Sequence, residues 1–407
     1  MDAQIEDLPP PTLVATPEGL ENLLGRIERE TEIAVDTEAD SFYSYRDKVC
    51  LFQVSAGGED WLIDPLADLD LAGLGAILAD ESITKVFHDA EYDVLILRRE
   101  FGFSFRSLFD TRVAAAVLGS STPGLASVLH SHFGVQLDKS QQRSNWAQRP
   151  LSDEQIAYAR LDTRFLVPLM HRQRDELREQ DRAMIVDAEC RRLERLEPPP
   201  NEFNADDFVR IKGARALDPR AASALRELYA MREKLAEKND VPPFRILGNK
   251  AMIQIAQRRP RSDKELLRVE GVTPKVLSRI GDRIRRALER AGRRGPLQRF
   301  PSHSRRDGSI ELDELGSELH DRLKRLRKDE ADARGIESSY LINRHVLLDI
   351  ARQRPSTSDA LSAIDGFAQW QSEMFGDAIL DVVRRFERDA ASGAIRPRRR
   401  KPRRTRA

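Results

Sequence analysis

Residues 32–41, EIAVDTEADS, set three apolar side chains, Ile33-Ala34-Val35, directly ahead of two acids, Asp36 and Glu38. The apolar run reads as a buried strand. A strand turns alternate side chains to the same face, so Asp36 and Glu38 stand side by side at its end. Two like charges so placed repel each other. A turn would account for Asp36 alone; a divalent cation would account for both.

Working outward, strands are expected at 33–37, 49–55, 60–63 and 85–88, short apolar runs bounded by Gly, Asp or Pro. Helices are expected at 71–78, 90–100, 112–118, 124–133 and 153–177, the last kinked or broken at Pro168. Strands in hairpin succession, later alternating with helices, predict an α/β domain with a mixed sheet over residues 12–195. LEPPPNEFNADDF, 196–208, reads as a linker. Beyond it the pattern is almost wholly helical and contains a repeat. Shifted by 95 residues without a gap, Ile255-Ala256 falls on Ile350-Ala351, Arg259-Pro260 on Arg354-Pro355, and Gly281-Asp282 on Gly376-Asp377. The period is too long for a solenoid unit. The prediction is therefore two copies of one all-α domain, 209–291 and 309–390, joined by a Gly-, Pro- and Arg-rich linker, 292–308. Asp218-Pro219 reads as an N-cap followed by an N1 proline, opening the first long helix of copy one.

Composition excludes several classes. Apolar residues make up 40% and charged residues 33% of the 407, with zero formal net charge. That balance is uneven. The last twelve residues, RPRRRKPRRTRA, carry eight Arg or Lys and no acid, which leaves about −8 on the rest. The stretch 391–407 is expected to be a basic, disordered tail. Two cysteines, Cys50 and Cys190, are too few for a disulfide framework or a zinc site and suit a cytoplasmic location. The acidic, proline-rich start is not a signal peptide, and no apolar run is long enough to span a membrane.

Two further segments bear on Asp36 and Glu38. FHDAEYDVLIL, 87–97, leaves a strand and enters a helix, with Asp89 suited to an N-cap and Asp93 about one turn in. IAYARLDTRFL, 156–166, is helical and sets Tyr158 and Asp162 four apart on one face. Each acid taken alone has a bland explanation as a cap or a solvated charge. Asp-x-Glu on a strand, Asp early in a helix and Tyr-x-x-x-Asp on a late helix together form an ordered pattern.

DTEAD, HDAEYD and YARLD resemble the three motifs of the DEDD superfamily of 3′→5′ exonucleases, and Tyr158 marks its tyrosine branch. LDKSQQRSNWAQRPLSDEQIAYARLD, 137–162, resembles the ribonuclease D family, and the two helical copies resemble HRDC domains, copy one through VPPFRILGNKAMIQIAQRRPRSDKELLRVEGV, 241–272. The segment TEADSFYSYRDK departs from the best-known pattern of that family, which bears on substrate rather than chemistry. The resemblance implies a ribonuclease H-like exonuclease domain that releases nucleoside 5′-monophosphates. The implied substrate is structured RNA such as tRNA precursors. It also implies two divalent ions, Mg²⁺ or Mn²⁺, roughly 3.5–4 Å apart, bound by hard oxygen ligands. By the same resemblance Asp36, Glu38 and Asp162 hold one ion, Asp36 bridges to the second, and Asp93 holds that one mainly through water. Tyr158, with an ordinary pKa near about 10, is a poor free base and is assigned to orienting the attacking water.

Other residues carry weaker signals. His88 is expected to be a structural strand-end residue. Lys139, Arg143 and Arg149 around Trp146 suit phosphate contact and base stacking, or a surface loop with one packed tryptophan. Lys250, Arg258, Arg259 and Lys275 suit nucleic-acid contact by copy one, whereas copy two puts Trp370 in the place of Lys275. Two rivals stand beside the exoribonuclease: a 3′→5′ DNA exonuclease, because nothing in the motifs reads a 2′-hydroxyl, and a non-catalytic RNA-binding scaffold, against which all four carboxylates argue. RNA is the expected partner, a membrane is not, and a monomer is favoured.

Overall fold

A computed structural model describes residues 8–200, 202–301 and 312–395. The first domain is built from β1 (Thr12–Val14), α1 (Pro17–Ile27), β2 (Glu32–Ala39), β3 (Val49–Ala56), β4 (Glu59–Ile63), α2 (Ala72–Ala79), β5 (Thr84–Phe87), α3 (Glu91–Phe101) and β6 (Leu108–Asp110). Five helices follow: α4 (Thr111–Val117), α5 (Leu125–Phe133), α6 (Asp153–Arg164), α7 (Leu166–Glu179) and α8 (Ala183–Leu193). The strands make one sheet in the order β1-β4-β3-β2-β5-β6. β2, β3 and β4 are antiparallel neighbours, while β1 on β4, β5 on β2 and β6 on β5 are parallel. This is the mixed sheet that the sequence pattern predicts. β2 lies centrally, which is why its first half, Ile33-Ala34-Val35, is buried on both faces.

The second domain is all helical: α9 (Pro219–Lys238), α10 (Pro243–Ile246), α11 (Asn249–Arg258), α12 (Asp263–Leu266) and α13 (Pro274–Arg294). The third repeats it as α14 (Glu314–Arg334), α15 (Ser338–Leu341), α16 (Arg344–Gln353), α17 (Ser358–Ser362) and α18 (Gln369–Ala391). Asp218 caps α9 as its sequence predicts, accepting from the backbone N–H groups of Arg220 and Ala221. The basic tail from 396 onward and part of the second linker, 302–311, lie outside the described residues.

The break in the long helix falls at Phe165, three residues before Pro168. Pro168 instead sits in the first turn of α7, where a missing N–H leaves no helical bond unmade. Asp89 likewise does not cap α3. It takes a left-handed conformation at φ 70, and Asp110 from the end of β6 supplies the cap.

The apolar interior is divided unequally. Buried side chains of the first domain, among them Val35, Phe87 and Leu97, run without a break into those of copy two, including Leu319, Leu323 and Ile350. Arg182 reinforces this junction by donating to the carbonyl of Arg334 at 2.8 Å. Copy one has its own core around Leu225, Leu228, Ile255 and Ile284, which Tyr45 reaches from the first domain.

Candidate active site

β2 delivers Asp36 and Glu38 to one face, as the period of two requires, and the ladder slips by one residue immediately after Glu38. Such bulges bend a strand and re-aim its side chains. α6 delivers Asp162. The carboxylate oxygens of Asp36, Glu38 and Asp162 lie within 4.8 Å of one another. Contacts that fix α6 to the sheet include the Ser55 and Thr163 hydroxyls, 2.8 Å apart, and a buried ion pair from Arg160 to Asp60 at 2.8 Å. At its start Ser152 and Gln155 form a capping box. These contacts set the height and rotation of the turn carrying Tyr158 and Asp162.

Asp93, in the first turn of α3, is buried and accepts a hydrogen bond from the Thr37 hydroxyl. Asp110 holds that helix in place. Its carboxylate accepts from the N–H groups of Asp89 and Ala90 at the start of α3 and of Arg112 and Val113 at the start of α4. Thr37 and Asp110 are absent from the sequence reading, although the Asp-Thr pair at a strand-to-helix junction was a visible N-cap signal for Asp110. Gln53 had no such signal. The register sets it directly opposite Asp36, it is 0% exposed, and its carboxamide has no protein partner among the described residues.

Burial pushes all four acids upward. For Asp36 the next causes are repulsion from Asp93, Asp162 and Glu38; for Glu38 they are Asp162 and Asp93. Asp93 and Asp162 are each raised to about 7, chiefly by burial, with Thr37 and Tyr158 respectively holding them lower than burial alone would. Tyr158 is raised by burial and by the neighbouring carboxylates, so its hydroxyl keeps its proton. An all-oxygen cluster whose ionisation is suppressed by burial and then by its own repulsion fits hard divalent cations, which would offset both. The orphaned carboxamide of Gln53 beside Asp36 fits the same conclusion.

Of the two readings of Trp146, base stacking is corrected and the packed tryptophan holds. It is 1% exposed, packed with Cys50, Leu51 and Leu62, and its ring lies 5.9 Å from that of Tyr158. It is a prop beneath the tyrosine, which a substrate base does not reach. Arg149 is similarly occupied by protein, paired with Asp64 at 2.6 Å and bonded to the carbonyls of Cys50 and Trp146. Lys139 and Arg143 are exposed, and the Arg143 guanidinium lies over the Phe42 ring at 5.7 Å; neighbours of theirs in the chain, Asp138, Ser140 and Gln141, line a cavity of about 230 Å³ with Tyr158, Leu161 and Asp162. His88 is half-buried, bonded to Thr111 and lowered to about 4, chiefly by desolvation, a neutral structural residue.

The aromatic segment after the first motif joins the domains. Phe42 meets Phe244 edge-on at 6.3 Å, Arg245 lies over Tyr43, and the Tyr45 N–H donates to Asp240. Copy one therefore abuts the strand end that carries Glu38. Lys250, Arg258, Arg259 and Lys275 all lie on copy one. Lys250 is ion-paired to Glu270 and Arg258 donates to the Arg268 carbonyl, whereas Lys275 stands exposed in the first turn of α13.

Comparison with known proteins matches residues 11–178 to the 3′-5′ exonuclease family and residues 221–288 and 317–383 each to the HRDC domain. A ribonuclease D of Sphingobium indicum is 31% identical over 379 residues, 91% of this chain and 94% of that protein. A ribonuclease D of Gluconacetobacter diazotrophicus is 33% identical over 270 residues, 65% and 67% of the two chains. Among solved structures, Escherichia coli RNase D, described as an exoribonuclease involved in structured RNA processing, shares the fold. It covers 92% of this chain and 99% of its own at TM-score 0.66 and 24% identity. The catalytic core of RRP6 from Trypanosoma brucei matches at 28% identity and TM-score 0.62, over 70% of this chain and 80% of that one.

Proposed function

The chain belongs to the ribonuclease D family and is a 3′→5′ exoribonuclease, and from that premise we propose that it trims the 3′ ends of structured RNA, tRNA precursors foremost, releasing nucleoside 5′-monophosphates. The observation that carries this reading is the meeting of Asp36, Glu38 and Asp162, from one strand and one distant helix, within 4.8 Å. Asp36, Glu38 and Asp162 would hold one divalent ion, Asp36 would be shared with a second, and Asp93, set back against Thr37, would act on that second ion through water. Bound Mg²⁺ or Mn²⁺ would supply charge neutralisation at the scissile phosphate and a water nucleophile at neutral pH. Tyr158 keeps its proton and hydrogen-bonds to Asp162, so its hydroxyl orients the attacking water rather than deprotonating it. Trp146 fixes the ring that carries that hydroxyl. Lys139 and Arg143, exposed in the segment before α6, would meet backbone phosphates, as would Lys250, Arg258, Arg259 and Lys275 on copy one. Cys50 and Cys190 are buried free thiols, consistent with work in the reducing cytoplasm.

The test is incubation with 3′-extended tRNA and with matched single-stranded DNA, in Mg²⁺ and then in EDTA. Stepwise shortening of the RNA in Mg²⁺ alone, faster than of the DNA, is expected. Equal rates on RNA and DNA would remove the RNA preference, and shortening in EDTA would remove the metal site.

A further inference from the structure

The gapless shift of 95 residues holds in three dimensions. α9, α11, α12 and α13 begin at Pro219, Asn249, Asp263 and Pro274, and α14, α16, α17 and α18 at Glu314, Arg344, Ser358 and Gln369. Arg259 and Arg354 are therefore one position seen twice, and each ends its helix in the left-handed region at φ 49 and ψ 58. Their surroundings differ. Arg354 lies over the Phe386 ring at 5.5 Å and is paired with Asp313 at 3.3 Å and Glu387 at 3.7 Å. Phe386 is fully buried. In copy one the ring becomes Ala291 and the glutamate Gly292. Among the described residues, Arg259 is left with no hydrogen-bond, ion-pair or ring partner for its guanidinium.

A cavity of about 580 Å³ opens there. Arg220, Arg261 and Arg285 join Arg259 around it, and Leu288, Pro260 and Ala291 give it an apolar part. Copy two has Leu315, Ser356 and Leu380 in the places of the other three arginines. Arg285 is already paired with Asp263 and Asp282, and Glu289 adds one carboxylate to the lining. Among the described residues, Arg220, Arg259 and Arg261 remain as unpaired guanidiniums. Guanidinium forks suit phosphate oxygens, and an apolar wall beside them suits a base. The volume falls in the range of small-molecule sites. The contacts to the first domain, Glu237 with Arg46 and Asp240 with Tyr45, lie at the other end of α9. At 1.5 Å per residue, Arg220 is about 25 Å from Glu237 along that helix.

We propose that this cavity of copy one binds a nucleotide, its phosphate held by Arg220, Arg259 and Arg261 and its base laid on the Leu288–Ala291 side. The nucleotide is either a unit of the RNA chain or a free monophosphate; only this choice of source rests on the exoribonuclease reading. Titration calorimetry of the full chain in EDTA, where the uncompensated carboxylates of the active site repel phosphate, tests it with uridine 5′-monophosphate and with uridine. The monophosphate should bind, and uridine should bind about tenfold or more weakly, a difference of about 1.4 kcal/mol. Ala291→Phe rebuilds the plug of copy two and Arg220→Leu borrows its rim residue; each should weaken the monophosphate about tenfold or more. Competition by an RNA octamer assigns the site to the RNA chain, and failure to compete assigns it to free nucleotide; both support the site. No binding of the monophosphate at millimolar concentration, equal binding of uridine, or undiminished binding by Arg220→Leu, whose exposed position spares the fold should Ala291→Phe not fold, overturns it.

Discussion

Burial first, and repulsion from neighbouring acids second, makes each of Asp36, Glu38, Asp93 and Asp162 hold its proton to higher pH than an ordinary carboxylate does. In the pH range between the ordinary carboxylate values and about 7, the native state thus binds more protons than the unfolded chain. Stability of the cation-free protein must then fall as pH rises through that window. Thermal melts in EDTA should give a higher Tm at pH 5 than at pH 8 from this source. Mg²⁺ should raise Tm more at pH 8, because it needs the ionised carboxylates. A Mg²⁺ effect larger at pH 5 would contradict this. Asp36→Ala should lose measurable hydrolysis yet melt higher than the parent in EDTA at pH 8, by roughly 2–4 °C for each kcal/mol of repulsion relieved. Near-normal turnover by the purified variant would remove Asp36 from the site. Tyr158→Phe keeps the ring on Trp146 and removes only the hydroxyl. Its single-turnover rate should drop by about 10²-fold, the order associated with misplaced reacting groups, with RNA affinity unchanged. An unaltered rate would leave Tyr158 with a packing role only.

At the scale of elements, Asp110 is the joint. It caps α3 and α4 at once, and each lost cap costs about 0.5–2 kcal/mol. Asp110→Ala should therefore lower stability by roughly 1–4 kcal/mol and also lower activity, because α3 carries Asp93. A denaturant midpoint equal to that of the parent would show the caps to be replaced by water. This joint also marks where sequence reading stops. Strands β2 to β5 were legible because their apolar runs have length and period, but β1 and β6, three residues each, are too short to show either. Asp89 looked like the cap of α3 because it precedes the helix; the group that does the capping lies twenty-one residues on and arrives through the sheet. Asp36, Glu38, Asp93, Tyr158 and Asp162 were legible as an ordered motif. Gln53 was not, because only the pairing of β2 with β3 sets it opposite Asp36. For Trp146 the sequence left base stacking and inward packing both open for the same reason: the polar segment around it hides that its ring turns inward beneath α6.

The whole molecule has three domains in sequence, with the copies related by a shift that needs no gap, yet the copies are attached differently. Copy two shares its apolar interior with the first domain, while copy one keeps its own and meets the first domain through the Phe42–Tyr45 segment. Cooperative unfolding follows shared interior rather than chain order. Scanning calorimetry should accordingly resolve two heat-absorption peaks: one for copy one by itself, and one in which the first and last domains melt together. Ile255→Ala, in the copy one interior, should lower one peak and leave the other in place, at a cost of about 2–5 kcal/mol. Leu323→Ala, in copy two, should lower the peak that also reports the exonuclease-like domain. A single peak displaced by both variants would show the three domains to be one calorimetric unit. Two peaks would mean that the middle of the chain can unravel and re-form between two ends that stay folded around each other.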